Sequence, residues 1–215
     1  MSRNIYSKLI RMNKVIAISG HPGSGKSSLA HELCKRMPGV YLDYDNYQNI
    51  TDHPVHEVNH WMQQGADYDN FVIPALAADL YRLKSGKSVN LPDNRTVIQP
   101  REYIFFETPL GRAHKEFGRQ IDILIWLDVP MDVALARNVK AFTGIFLKNS
   151  AIENYAGDLQ WLESYLANYL EHIREMLLLQ YEKIARTADI IVNAEAGIDR
   201  VATDTIEKLA VICKI

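Results

Sequence analysis

The chain of 215 residues has few cysteines, no excess of charge of either sign and no long apolar run. Its two cysteines, Cys34 and Cys213, form no C-x-x-C pair, which excludes a disulfide framework and a four-cysteine zinc site. Lys and Arg number 24 against 26 Asp and Glu, so binding of nucleic acid or of an anionic membrane by bulk charge is disfavoured. No apolar run approaches the roughly 20 residues of a membrane-spanning helix, and the first residues lack a signal-peptide core. We therefore expect a folded cytoplasmic protein.

Short apolar runs alternate with helical patterns along the chain. Strands are predicted at 14–19, 40–43, 103–107, 122–128 and 188–193. Helices are predicted at 26–37, 71–86, 131–142, 150–187 and from Gly197 to near the end, with a surface connection after Gly86. Strands alternating with helices favour an α/β fold with a parallel sheet covered on both faces. The length favours a single domain over 1–215. The first fourteen residues, basic and without an acid, are predicted to be a solvated leader, with an anion-binding arm as the alternative.

The strongest motif is a phosphate-binding loop (P-loop), G-x-x-x-x-G-K-[ST], at 20–27 between a predicted strand and a predicted helix. Its glycines let backbone N–H groups converge on phosphates, and the helix points its positive end at them. We expect Lys26 to reach the β and γ oxygens of the nucleotide and Ser27 to hold Mg²⁺. The predicted nucleotide-binding residues are Gly20, His21, Gly23, Ser24, Gly25, Lys26, Ser27 and Ser28.

Signatures of other nucleotide-binding classes are absent from the sequence. A switch GTPase would carry D-x-x-G after a strand and an N-K-x-D guanine signature, and neither is present. The short chain also lacks an evident arginine-rich oligomerisation module of a motor. A small-molecule kinase, which works mainly by positioning and charge neutralisation, is the favoured class.

Between Met37 and Ala78 the sequence has no Lys or Arg but six acidic residues. A phosphorylated acceptor would need arginines, so this composition favours a neutral polyhydroxyl acceptor bound by region 44–95. Asp43 and Asp45 follow the second strand, at the edge where α/β sheets bind ligands. One of them is the candidate base for the acceptor hydroxyl, and we favour Asp45, with Asp43 as a candidate acceptor contact.

Histidines and aromatic residues also occur in this acidic region. His53, His56 and His60 share a predicted helical face, where a metal site is the less favoured reading and a polar pocket or exposure the preferred one. The aromatic side chains of Trp61, Tyr68 and Phe71 are interpreted as core, with stacking on a ligand ring as the alternative.

Two predicted strands end in a carboxylate that could orient Mg²⁺ through water, Glu107 and Asp128. We favour Glu107 and interpret Asp128 as a helper at the start of the next helix. Arg112 follows Glu107 closely, so it is a candidate acceptor contact.

A lid is predicted at about 137–150. Arg137 and Lys140 share one helical face, from which their charges could cover the transferring phosphoryl group, and Gly144 is a candidate hinge. The alternative is a solvated basic face.

These residues resemble the uridine kinase and phosphoribulokinase-like family of P-loop kinases over most of the chain. GHPGSGKSSLA is similar to the family's P-loop, Asp45-Asn46-Tyr47 to the segment with its catalytic Asp, and ADYDNF at 66–71 to its acceptor-contacting stretch. LDVPMDVALAR and QYEKIARTADIIVN are similar to its later segments. Asp67, Tyr68 and Asp69 thereby become candidate acceptor contacts. The resemblance implies a five-stranded parallel sheet of order 2-3-1-4-5, ATP with Mg²⁺ as donor and a sugar or alcohol hydroxyl as acceptor.

The sequence departs from this family at three places. Glu107 is followed by Thr-Pro where the family has Gly-Ile, Arg137 lacks a second Arg after it, and the acceptor stretch is degenerate. The main prediction is an ATP-dependent small-molecule kinase in which Asp45, Lys26 and Arg137 are the catalytic residues. A P-loop regulatory or switch protein without kinase activity is the alternative. The acceptor, the choice of ATP or GTP and a homo-oligomeric state are left open.

Overall fold

The computed structural model describes residues 12–47, 55–93 and 95–213, and in these it contains seven strands and eight helices. The strands are β1 (Lys14–Gly20), β2 (Gly39–Asp43), β3 (Val89–Asn90), β4 (Val97–Ile98), β5 (Tyr103–Glu107), β6 (Ile123–Asp128) and β7 (Ile190–Asn193). The helices are α1 (Lys26–Arg36), α2 (Val55–Gln63), α3 (Pro74–Lys84), α4 (Lys115–Gly118), α5 (Met131–Asn149), α6 (Tyr155–Asn168), α7 (Arg174–Ile184) and α8 (Ile198–Cys213). Most of the basic N-terminal segment, together with His53, lies outside the described residues.

Five strands form one parallel sheet in the order β2-β5-β1-β6-β7. Numbered along the chain within this sheet, that order is 2-3-1-4-5, as the resemblance implies. The register sets Glu107 of β5 beside Asp43 of β2 and Ile18 of β1. The carboxyl ends of three strands therefore meet at one edge, directly before the P-loop.

Helices cover both faces of the sheet, as predicted. Side chains alternate across β1, so Val15 and Ala17 pack with α3 and α4, while Ile16 and Ile18 pack with α1 and α8. Both clusters contain fully buried strand residues. The strands lie between two apolar layers, which explains why the sequence of each strand is a continuous apolar run.

The helices differ from prediction in three places, one of which is the short helix α4 that was not predicted. Helix α5 continues beyond residue 142 to Asn149 and runs unbroken through Gly144, so the predicted hinge lies inside a regular helix. The predicted helix over 150–187 consists of a short turn, α6, a wide π-helical turn at Tyr169–Ile173 and α7. The surface connection after Gly86 contains the hairpin β3–β4, whose two-residue strands are too short to show a sequence period.

Two further expectations concern the cysteines and membrane helices. Cys34 and Cys213 are both unpaired and partly buried, and burial raises the pKa of the Cys34 thiol to about 11. Among the helices of the described residues, none has the length and apolar character needed to cross a bilayer.

Candidate active site

A cavity of about 700 Å³ opens at the carboxyl edge of the sheet. Its walls come from the P-loop, the turn after β2, the end of α2, the loop after β5, α5, α7 and the loop after β7. Open α/β sheets bind ligands at this edge, because loops that start on neighbouring strands diverge there. The cavity is therefore the candidate active site.

The P-loop forms the floor of the cavity and does so through its backbone. Every predicted nucleotide-binding residue except His21 lines the cavity. Gly23 has a φ of +82°, and a Cβ placed there would lie 2.1 Å from the carbonyl oxygen of Ala134 in α5. Only glycine fits this close approach of loop and helix. The first residues of α1, from Lys26 to Ser28, also reach the cavity, so the positive end of the helix faces any bound anion.

The side chain of His21 turns away from this floor. Its ring meets Trp126 edge-on at 5.3 Å, and Nε2 lies 3.2 Å from the carbonyl oxygen of Leu177 on α7. Burial lowers the pKa of this imidazole. The carbonyl oxygen of His21 instead accepts hydrogen bonds from the Ser24 N–H and from Lys26 Nζ. His21 thus shapes the loop, and its imidazole does not face the cavity.

Lys26 and Glu107 form the charged centre of the floor. Their side chains are only 13% and 12% exposed, and Lys26 Nζ lies 3.9 Å from Glu107 Oε1. The other carboxylate oxygen accepts a 2.7 Å hydrogen bond from the Tyr41 hydroxyl, which fixes the orientation of Glu107. Burial lowers the pKa of Lys26, and the nearby carboxylates of Glu107, Asp45 and Asp43 oppose that shift.

The paired carboxylates of Asp43 and Asp45 lie in different surroundings. Asp45 is exposed and lines the cavity. Asp43 Oδ1 accepts the N–H of Asp45 at 3.0 Å and caps the short turn Tyr44–Asn46. Glu107 lines the cavity, whereas Asp128 does not. Nor does Asp128 cap α5, whose N-cap is Pro130 without a side-chain hydrogen bond, so that expectation is wrong.

Three aromatic rings form one wall. Trp61, Tyr68 and Phe71 all line the cavity and are at most 9% exposed. The rings of Tyr68 and Phe71 meet Trp61 edge-on at 5.1 and 5.2 Å. The rings pack on each other, in agreement with the interpretation as core, and they also border the cavity, so stacking on a ligand ring stays a prediction.

Four predicted acceptor contacts lie outside the cavity walls, Asp43 with its capped turn and three others. Asp67 is exposed and caps the turn Tyr68–Asn70. Asp69 binds Lys115 through both carboxylate oxygens at 2.6 Å, once to the N–H and once to Nζ. Arg112 points away from the P-loop edge, because its guanidinium holds Asp189 and the Asp122 carbonyl at the amino ends of β7 and β6. These residues stabilise the scaffold around the site.

The two predicted lid residues, Arg137 and Lys140, differ in their position relative to the cavity. Arg137 lines the cavity, but its guanidinium donates 2.8 Å hydrogen bonds to the carbonyl oxygens of Ala194 and Glu195 in the loop after β7. Lys140 is exposed on α5 and does not line the cavity. In this structure the two side chains therefore do not lie together over the P-loop.

Of the three histidines that share a predicted helical face, the structure describes the side chain of one, His60. His60 is exposed and its Nε2 lies 2.9 Å from Gln64 Nε2, while the side chain of His56, like all of His53, is outside what the structure describes. Within the described part of the chain, no group of three His, Cys, Asp or Glu side chains is placed to hold a metal ion.

Several cavity residues were not identified from the sequence. Tyr44, Pro109 and Leu110 follow strands, while Met176, Leu177 and Gln180 lie on α7. Gln180 is a polar residue within the apolar stripe of a helix, which is the one signal that could have drawn attention to it.

Comparisons with known proteins agree with this geometry. No family model matches the chain. A protein of Clostridium tetani named uridine kinase is 28% identical over 206 residues, covering 89% of this chain and 91% of the relative. One of Psychromonas ingrahamii with the same name is 28% identical over 213 residues, covering 90% and 92%. A solved gluconokinase from Sinorhizobium meliloti 1021 is 15% identical, covers 95% of each chain and has a TM-score of 0.51, which supports the fold.

The similarity to uridine kinases extends over about nine-tenths of the chain and thus far beyond the P-loop. The predicted resemblance to the uridine kinase-like group of P-loop kinases, and the P-loop kinase fold that it implies, are therefore confirmed.

Proposed function

We propose that the chain is an ATP-dependent kinase that transfers the γ-phosphoryl group to a hydroxyl of a neutral small molecule, a nucleoside or related alcohol. The observation that carries the proposal is the position of Asp45, on the wall of the cavity whose floor holds Lys26, Glu107 and the P-loop. A donor site and a candidate base thus share one cavity.

The floor has the groups that a nucleoside triphosphate needs. Backbone N–H groups of the P-loop and Lys26 Nζ bind the β and γ phosphates. The Ser27 hydroxyl and the Glu107 carboxylate are hard oxygen donors of the kind that suits Mg²⁺, and both line the cavity. Bound there with the nucleotide, Mg²⁺ would neutralise charge on the phosphate oxygens.

Asp45 would act on the acceptor. Its carboxylate takes the proton of the acceptor hydroxyl as the oxygen attacks the γ-phosphorus, and the bond from phosphorus to the leaving ADP oxygen breaks. Arg137 keeps the loop after β7 against α5, and in this proposal it shapes the nucleotide end of the cavity rather than covering the phosphoryl group.

The acceptor end of the cavity favours a neutral compound with a ring. Among the described residues that line the cavity, Lys26 and Arg137 are the only Lys or Arg side chains, and both serve the nucleotide end. A phosphorylated acceptor would need further cations. The aromatic wall suits a flat ring, and the similarity to proteins named uridine kinase supports a nucleoside.

A regulatory protein that binds no acceptor is the less favoured function, since the aromatic wall next to the Asp45 carboxylate would then bind no ligand. In this proposal, residues 1–215 form one kinase domain. The protein acts in the cytoplasm, where ATP is supplied, as expected from the sequence.

The test is ADP release from ATP with Mg²⁺, with and without uridine, cytidine, nicotinamide riboside, pantothenate or simple sugars. We expect one acceptor to stimulate release, and Asp45→Asn to lower its turnover by about 10² to 10⁴ while ATP binding stays nearly unchanged. Asp43→Asn is the matched control, because Asp43 caps the turn and does not line the cavity. Tight ATP binding without stimulation by any acceptor would favour the regulatory function instead.

A further inference from the structure

The Glu107 carboxylate is held by a tyrosine that does not itself line the cavity. Tyr41 lies on β2, next to β5, and its hydroxyl donates the 2.7 Å hydrogen bond to Glu107 Oε2. The Tyr41 ring packs against the apolar cluster under α1 and meets His31 of that helix edge-on, with 4.7 Å between the ring centroids. The phenol is therefore fixed from the face of the sheet that α1 covers, outside the cavity.

The two carboxylate oxygens of Glu107 have different neighbours. Oε2 faces the Tyr41 hydroxyl, while Oε1 lies 3.9 Å from Lys26 Nζ. That distance is longer than a hydrogen bond, so the ammonium and the carboxylate attract each other without direct contact. Lys26 Nζ instead donates to the carbonyl oxygen of His21 at 3.2 Å. The two charged groups at the floor of the cavity are thus kept apart, each by a hydrogen bond to a third residue.

The separation matters because both side chains are little exposed, so their attraction is weakly screened. Without the phenol, the carboxylate would be free to turn toward Lys26, and a direct ion pair would occupy both the phosphate-binding ammonium and the carboxylate. Asp43, which stands opposite Glu107 in the strand register, cannot replace the phenol, because an ionised carboxylate only accepts hydrogen bonds. A phenol is a neutral donor, so it orients Glu107 and leaves the negative charge available to a cation.

We propose that Tyr41 is a positioning residue for phosphoryl transfer, whose hydroxyl holds Glu107 apart from Lys26 and so keeps Oε1 available to the Mg²⁺ of the nucleotide. The inference rests on the proposed function, which assigns Ser27 and Glu107 to that ion. Loss of a donor that orients a ligating side chain typically lowers metal affinity by about 10- to 100-fold.

The experiment compares Tyr41→Phe with the unmodified protein. Calorimetry measures the affinity for a non-hydrolysable ATP analogue in saturating Mg²⁺ and in excess EDTA. The ratio of the two affinities reports how tightly the protein–nucleotide complex holds Mg²⁺, because the two ligands are linked. We expect the unmodified protein to bind more tightly with Mg²⁺, and Tyr41→Phe to lower this gain by about tenfold. Binding in EDTA should change far less, since the N–H groups of the P-loop do not depend on Glu107.

Tyr47→Phe is the matched control. Tyr47 also donates its hydroxyl to a carboxylate, that of Asp79 at 2.9 Å, and neither residue lines the cavity. This variant loses the same kind of hydrogen bond, so we expect it to keep the full gain from Mg²⁺. Thermal unfolding checks that both phenylalanine variants are folded.

Glu107→Gln shows whether Tyr41 acts through Glu107. We expect this variant to lose most of the gain from Mg²⁺, and the double variant Tyr41→Phe/Glu107→Gln to lose no more, because the phenol then has no carboxylate to position. Additive losses in the double variant would contradict a role through Glu107.

The remaining outcomes separate Tyr41 from the kinase function. An unchanged gain in Tyr41→Phe, or equal losses with and without Mg²⁺, would overturn the role of Tyr41 and leave the kinase in place. An unmodified protein that binds the analogue equally well in Mg²⁺ and in EDTA would overturn the assignment of Glu107, and that of Tyr41 with it. Absence of nucleotide binding by the unmodified protein would overturn the kinase function itself.

Discussion

The two ends of the cavity are built in different ways. In the proposed function, the phosphate end is mainly the stretch 20–28, joined by Glu107 and Arg137, and would act largely through backbone N–H groups whose positions glycines permit. The acceptor end is assembled from side chains that lie between residues 44 and 180 in four separate stretches. Substitutions at the phosphate end should therefore disturb the backbone, whereas those at the acceptor end should change selectivity and leave the fold intact.

The largest effect on stability is expected for Gly23→Ala. Its new Cβ would lie 2.1 Å from the Ala134 carbonyl oxygen, at a φ of +82°. We expect a loss of about 2 to 5 kcal/mol in unfolding free energy, together with loss of nucleotide binding. Gly25→Ala is the control, because φ is also positive there but nothing lies within 4 Å. It should cost about 1 to 2 kcal/mol. Thermal unfolding without ligand measures both, and equal losses would contradict a steric cause.

Lys183→Met should weaken the acceptor end selectively. Lys183 Nζ donates to the carbonyl oxygens of Gly65 and Ala66 and lies 5.7 Å from the centre of the Tyr68 ring. Without these contacts of Lys183 the aromatic wall is less ordered, so we expect KM for the acceptor to rise by about tenfold with little change in KM for ATP. Lys183→Arg should restore part of the loss.

The control for Lys183 is Lys208→Met, since Lys208 Nζ also binds a backbone carbonyl, that of Ile191, but lies on α8 outside the cavity. Its kinetic constants should stay unchanged. A parallel rise in both KM values for Lys183→Met would mean that the two ends are not independent.

Tyr44→Phe should have a smaller effect on the acceptor. Tyr44 is 1% exposed and lines the cavity, and its hydroxyl has no partner among the described residues. Burial raises the pKa of this hydroxyl, so it stays protonated. The hydroxyl is shielded from solvent and can reach a ligand only if the wall shifts, so we expect at most a few-fold rise in KM for the acceptor and an unchanged melting temperature. A marked fall in melting temperature would show that the hydroxyl serves the fold instead.

The smallest effect is expected for Asp69→Asn. Lys115 lowers the pKa of Asp69 below its ordinary value of 3.8, through hydrogen bonds to its side chain and backbone N–H. The carboxylate therefore stabilises the fold above pH 3.8, and the stabilisation is lost as the pH falls through the lowered pKa. At pH 7 the variant should melt less than about 4 °C lower, and the gap should close in acid. Kinetic constants for the acceptor should not change. A raised KM for the acceptor would show that Asp69 contacts the acceptor, as first predicted.

Sequence reasoning identified the phosphate end because its signals are local. The P-loop spacing, the strand before it and the helix after it stand together in 14–36, and the structure places them as predicted. Of the candidates for the acceptor end, Asp45 and Tyr68, which follow a strand or a resembling motif, line the cavity, whereas Arg112 and Asp69 do not. Both lie close in sequence to cavity residues, yet ion pairs with Asp189 and Lys115 hold them elsewhere.

The sequence alone determined the five parallel strands, the helices on both faces and the P-loop, because apolar period and glycine spacing act over a few residues. Only the tertiary structure decided which side chains line the cavity. Gln180 meets Pro109 across 71 positions of the chain, and Lys183 meets Gly65 across 118. Such contacts depend on how α7 packs against the loops after α2 and β5, and no local pattern encodes that packing.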